Sequence, residues 1–124
     1  MSIQSFRDLV VWQKSMKLTS EASYALAKLL PKAEEYRLTS QLLRAATSVP
    51  SNIAEGHARG TRRDYAHFVS MARGSLAETE TLLQLLIDVR LLMPERVRFA
   101  NELCSEIGKM LNGLHARLRS SPET

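Results

Sequence analysis

Apolar residues recur along this chain in steps of three and four, the spacing that aligns side chains on one face of an α-helix. Near the start two such tracks run side by side. Leu9, Trp12, Met16, Thr19, Ser23, Leu26 and Leu30 form one, and Val11, Ser15, Leu18, Ala22, Ala25 and Leu29 form the other. Two adjacent tracks predict a buried face wider than one partner helix covers. Pro31 ends this segment, because the residue before a proline is pushed out of the α region. A second helix is expected over 34–56, with Leu38, Leu42, Ala45, Ala46, Val49 and Ile53 inward. Its central alanines let a neighbour approach closely. Pro50 lies inside it, lacks an N–H and crowds the Ala46 carbonyl, which predicts a kink or a local break. Ser48, Ser51 and Asn52 stand ready to serve the backbone groups left over.

Gly56 to Gly60 interrupts the pattern. Thr61 then offers an N-cap with Asp64 three residues on, a capping-box-like pair that also suits the helix dipole. A third helix is expected over 62–90, with Tyr65, Phe68, Ala72, Leu76, Thr79, Leu83, Leu86 and Val89 inward. Arg90 to Pro94 makes the next turn, and Pro94 suits a first helical turn. The fourth helix, 94–119, has the cleanest seam: Val97, Ala100, Cys104, Ile107, Leu111, Leu114 and Leu118. Ser120 to Thr124 reads as a frayed tail. The first helix spans 6–30. Four helices with short connections predict an all-α, up-down-up-down four-helix bundle in one domain, 1–124. Leu85 and Ile87 off the third seam, like the double track of the first helix, suggest more apolar surface than one bundle needs, hence an oligomer.

Composition agrees with this reading. The 124 residues are 44% hydrophobic and 24% charged, which excludes a disordered chain, and five Gly with four Pro are too few for a loop-rich β-sandwich. Cys104 is the sole cysteine, so one chain holds no internal disulfide and no multi-thiolate metal site. The start has no basic segment leading into an apolar one, as a signal peptide would. Apolar runs stop at four residues, whereas a membrane span needs about 20. The expectation is a soluble, cytoplasmic protein.

Charge changes the picture once it is located. The formal net charge is +4. All of that excess falls between Arg37 and Arg73, where Arg37, Arg44, Arg59, Arg62, Arg63 and Arg73 face only Glu55 and Asp64. Within it His57, Arg59, Arg62, Arg63 and His67 crowd into eleven residues, with Arg73 two turns on. The arginine fork suits phosphate, and a helix start favours anions. Arg59, Arg62 and Arg63, in a Gly-flanked turn and at a helix start, are expected to be free of the core. These residues, His57 and Arg73 included, are the candidate nucleic-acid contacts; the plainer reading is a solubilising loop. Tyr65 has a face to stack, but its spacing fits core packing better.

Other chemistry finds little support. A di-iron bundle needs two Glu and two Glu-x-x-His pairs, and only Asp64 with His67 resembles one. His57 and His115 have no partner at ligand spacing. Cys104 on the seam reads as a buried small hydrophobe. Glu78 and Glu80 point to different faces. No phosphate-cradling Gly motif is present. Neither a cofactor, a metal, a small-molecule substrate nor catalysis is therefore expected.

The string Ser40-Gln-Leu-Leu-Arg-Ala-Ala-Thr-Ser-Val-Pro-Ser-Asn-Ile-Ala-Glu-Gly56 resembles the hallmark of four-helix-bundle proteins encoded in intervening sequences of 23S ribosomal RNA genes, also called the S23 family. The match extends to Phe6-Arg-Asp-Leu-Val-Val-Trp-Gln13, Tyr36-Arg-Leu-Thr-Ser-Gln41, Asp64-Tyr-Ala-His-Phe68 and Ala72-Arg-Gly-Ser-Leu-Ala-Glu-Thr-Glu80, nearly the whole chain. The resemblance implies antiparallel helices assembled as a homopentameric barrel. The family is similar to the accessory variability determinant of diversity-generating retroelements, a basic barrel that binds a reverse transcriptase and nucleic acid. It implies no catalytic residues. The function expected is a non-enzymatic oligomer that binds RNA, DNA or a reverse-transcriptase-like partner through its basic surface; the alternative is a structural or protein-binding scaffold.

Overall fold

A computed structural model describes residues 4–120, and every regular element among them is helical. The chain opens with a 3-10 turn, Phe6–Asp8, closed by a capping box in which Ser5 accepts from the Arg7 amide and Asp8 reaches back. Helix α1 (Val10–Lys17) passes through a π-helical stretch, Leu18–Ser23, into α2 (Tyr24–Ala27), so that 10–27 is one rod. Then come α3 (Ser40–Ala58), α4 (Arg62–Asp88) and α5 (Arg98–Ser120). The rod packs on α3 and α5, α3 on α4, and α4 on α5, closing a ring of four helices.

The double track of the first helix is a double face only over its middle. Val11, Ser15, Leu18 and Ala22 are buried from one track, and Thr19, Ser23, Leu26 and Leu30 from the other, so both are buried together only over 18–23; Met16, Ala25 and Leu29 are exposed. The π stretch makes the change. Its wider turn uses one extra residue, seen where the Ser23 hydroxyl donates to the Leu18 carbonyl at 2.7 Å and the Tyr24 amide to Thr19. One extra residue shifts the buried stripe from the second track to the first. Met16 and Leu29 of these tracks, like Leu85 on α4, remain as apolar side chains that a single bundle leaves exposed.

Pro50 does not break α3, which runs on through it and past the expected end to Ala58. The buried Pro50 ring packs into the interior, and Asn52 Nδ2 donates to the Ser48 carbonyl at 2.9 Å. The Ser48 and Ser75 hydroxyls meet across α3 and α4 at 2.8 Å. The start of the second helix also differs: 35–39 is a second π turn, and the regular helix begins at Ser40.

On α4 the inward set gains Val69 and Leu82 and loses Val89, which is exposed past the helix end; Tyr65 and Phe68 are half-buried. On α5 Val97, Ala100, Cys104, Ile107 and Leu111 are buried as expected, and Leu114 and Leu118 half-buried at the end. Leu103 joins them. Pro94 opens a 3-10 turn, Pro94–Val97, that leads into α5. Arg90 follows α4 at φ 65, a left-handed residue at the position glycine usually takes. The Leu91 amide donates back to the Leu86 carbonyl at 3.0 Å and the Arg90 amide to Ile87 at 2.9 Å, which together close the helix end. Of the tail expected to fray, Ser120 is still helical and 121–124 lie outside the described residues.

Among the described residues no helix is long and apolar enough to cross a membrane.

Candidate nucleic-acid interface

The basic residues gather where α3 turns into α4. Gly56 is the pivot, and the reason is space rather than backbone freedom, because no glycine has positive φ. A Cβ on Gly56 would stand 2.8 Å from the Phe68 Cβ and 3.0 Å from a Tyr65 ring carbon. Only a missing side chain lets α3 and α4 approach this closely. His57 is therefore on the last turn of α3 and not in a loop. Its ring meets Tyr65 edge-to-face, centroids 5.8 Å apart. The chain leaves α3 at Arg59 in extended conformation, passes Gly60, and re-enters a helix at Thr61, whose Oγ1 accepts from the Asp64 amide at 3.1 Å.

Each candidate arginine has a different fate. Arg59 lies 4.7 Å from the Phe68 ring centroid and pairs with Glu55 at 2.8 Å, so its charge is partly balanced within the protein. Arg62 is half-buried and donates from Nη2 to the Arg117 carbonyl at 2.7 Å. That carbonyl lies in the last described turn of α5 and also accepts from the Ser120 hydroxyl at 3.4 Å. Arg62 thus ties the start of α4 to the end of α5, outside the core but half-buried rather than fully free. Arg63 is exposed. Arg73 lies two turns on, with Nη1 3.3 Å from His115 Nδ1. An arginine only donates, so in this contact Nδ1 is the acceptor. Partial burial, reinforced by Arg73 and then Arg119, holds the His115 pKa below its ordinary value.

Between α4 and α5 lies a cleft of about 470 Å³. Arg62, Arg63, Ala66, His67 and Ser70 line it from α4, Leu118 and Arg119 from α5. Spacings of three and four put Arg63, Ala66, His67 and Ser70 on one face of α4. The structure thus brings Arg62, Arg63 and His67 to one cleft, sets Arg73 against His115, and leaves Arg59 and His57 outside the cleft. Arg37, counted in the same charge run, lies in the π turn before α3 and pairs with Glu34 at 3.0 Å. In its place α5 supplies Arg119 to the cleft, while the Arg117 side chain lies on the other side of α5 beside Leu9 and Val10 and only its carbonyl meets Arg62; sequence reasoning missed both. Antiparallel neighbours joined by a short turn place the end of one helix beside the start of the other. That rule, applied to His115-x-Arg117-x-Arg119, is the signal that finds them.

Other groups fall into place as packing. Burial pushes the Tyr65 hydroxyl above its ordinary pKa, with nearby Arg117 opposing. Burial, helped by Glu80, pushes the Cys104 thiol up to about 12, a protonated and unreactive state at neutral pH. Asp64 serves the start of α4, while His67 faces the cleft with its ring edge-to-face on Phe68, centroids 5.5 Å apart. Among the described residues no three His, Cys, Asp or Glu side chains gather as a metal site would need.

No curated protein matches the chain. Among solved structures it is similar to a protein of unknown function from the S23 ribosomal protein family of Bacteroides thetaiotaomicron VPI-5482, with a TM-score of 0.78 and 30% identity. That similarity covers 86% of this chain and 98% of the other. The family profile of the 23S rRNA-intervening sequence proteins matches residues 7–113. This chain belongs to the 23S rRNA-intervening sequence protein family.

Proposed function

We propose that the protein is a non-enzymatic, oligomeric helical bundle that binds nucleic acid through the basic end formed by the start of α4 and the end of α5. One observation carries this reading: Arg62, Arg63, His67 and Arg119, from two helices far apart in sequence, converge on a single cleft. Guanidinium groups around a concave site attract phosphate more strongly than the same charges spread over a surface. A nucleic-acid enzyme such as a reverse transcriptase, carrying its own strand, is a partner of matching chemistry in the cytoplasm.

Assembly multiplies the effect, since each copy adds the same cluster to one body. The homopentamer implied by the family resemblance has support in exposed apolar side chains, Tyr36 at 87% and Met93 at 65% exposure among them. Sedimentation equilibrium is expected to give a mass several times 13.9 kDa, and a single species of 13.9 kDa at micromolar concentration contradicts it.

Binding is tested by fluorescence anisotropy with labelled RNA and DNA. Arg63→Glu combined with Arg119→Glu should abolish binding while leaving helical content unchanged, because both side chains are exposed. No binding by the natural chain near about 50 mM salt, where phosphate contacts are strong, favours the scaffold reading instead.

A further inference from the structure

We infer that the α4–α5 cleft accepts one nucleotide unit of a single strand, its phosphate between Arg63 and Arg119 and its sugar or base over Ala66 and Leu118. This rests on the proposed nucleic-acid reading and narrows it to a class of strand. Two observations point this way. First, the site is concave. It is walled from both sides, by Arg62, Arg63 and Ser70 of α4 and by Leu118 and Arg119 of α5. A double helix presents its phosphates on a convex edge and keeps its bases stacked inside, so it touches only the rim of such a cleft.

Second, the lining is mixed. Ala66 and the half-buried Leu118 form an apolar floor between the arginines, with Ser70 and His67 at the side. Phosphate alone has no use for an apolar floor. An unstacked base or a ribose does, and contacts of that kind hold single strands with little regard to sequence. Arg62 acts here as a positioning residue. Its Nη2 is engaged by the Arg117 carbonyl at 2.7 Å, which fixes the last turn of α5 and with it the place of Arg119.

The test uses the full chain and anisotropy with a labelled uridine oligomer, alone and in duplex with its complement. The single strand should bind at least about tenfold more tightly than the duplex at equal salt, the order expected of one stacked base. Ala66→Leu fills the floor without changing charge and should erase that preference while the duplex binds as before. Competition on the natural chain gives an independent reading. Uridine monophosphate should displace the strand at a concentration about tenfold below that needed with inorganic phosphate. Equal binding of strand and duplex, a folded Ala66→Leu protein with the preference intact, or equal competition by the two small anions each overturns the cleft assignment and leaves nucleic-acid binding standing. Absence of binding to either form overturns both.

Discussion

The two ends of the bundle are built by different means. At the basic end the turn from α3 to α4 is held by contacts between elements: Gly56 against Phe68 and Tyr65, and Arg62 against the α5 carbonyl of Arg117. At the other end local helix-end turns close the connections, and Leu30, Leu92 and Val97 anchor them in the core. Arg90 closes α4 in a left-handed conformation, and 3-10 and π turns lead into α5 and α3. Tyr36, Val89 and Met93 stand exposed there. Long-range contacts keep α4 and α5 in register, and register is what a cleft between two helices needs. Local helix-end chemistry keeps a connection short but does not by itself set two helices in register. The proposed site lies at the first end.

This contrast is most easily broken at Gly56. Gly56→Ala should destabilise the protein by about 1–3 kcal/mol, as overpacking does, because the atom it meets is the Phe68 Cβ and not a flexible tip. Gly74→Ala, on the same helix as Phe68 but with nothing within 4 Å, should instead stabilise by about 0.5–1 kcal/mol. Urea unfolding measures both. Equal and small effects would mean that the approach of α3 to α4 is not a constraint.

Arg62→Ala should cost about 1 kcal/mol through loss of a charge-assisted bond to a helix end, with binding weakened in parallel. At the opposite end the sign reverses. Arg90→Gly relieves a left-handed residue whose strain is about 1 kcal/mol, partly offset by the greater freedom of glycine when unfolded. A small net gain in the urea midpoint is expected, and a loss would show that the Arg90 side chain holds that end.

The smallest effect is a pH dependence. His115 is held below its ordinary pKa when folded, by partial burial and by Arg73 and Arg119. Below about pH 6.5 the unfolded chain then binds more protons than the folded one, so stability falls as pH falls through that window. Melting temperatures between pH 7 and 5 should show this slope. His115→Asn, which keeps an acceptor for Arg73 but does not titrate, should flatten it.

Much of this architecture was legible from periodicity. The seam of α5 was read almost residue by residue, because an uninterrupted helix keeps its 3,4 spacing from Val97 to Leu111. The first helix was less legible. Both tracks are apolar, and only the hydrogen bonds of the π stretch decide where one hands over to the other. Pro50 misled in the other direction: a local rule forecast a disturbance that did not interrupt the helix. The candidate site was half legible. Arg62, Arg63 and His67 stood out as a cluster, while Leu118 and Arg119 join them only through tertiary pairing. The same pairing separates Arg59, which turns to Glu55 and Phe68.

The central claim is that phosphate meets the arginines at the α4–α5 junction, and the salt dependence of binding tests it most directly. For a single strand the slope of log affinity against log salt falls by about 0.7 for each phosphate contact. The account predicts a steep negative slope for the natural chain, made shallower by about 0.7 per lost contact in Arg63→Ala and again in Arg119→Ala, with Arg37→Ala unchanged. A flat slope, or one that Arg37→Ala reduces as much as Arg63→Ala does, would contradict it.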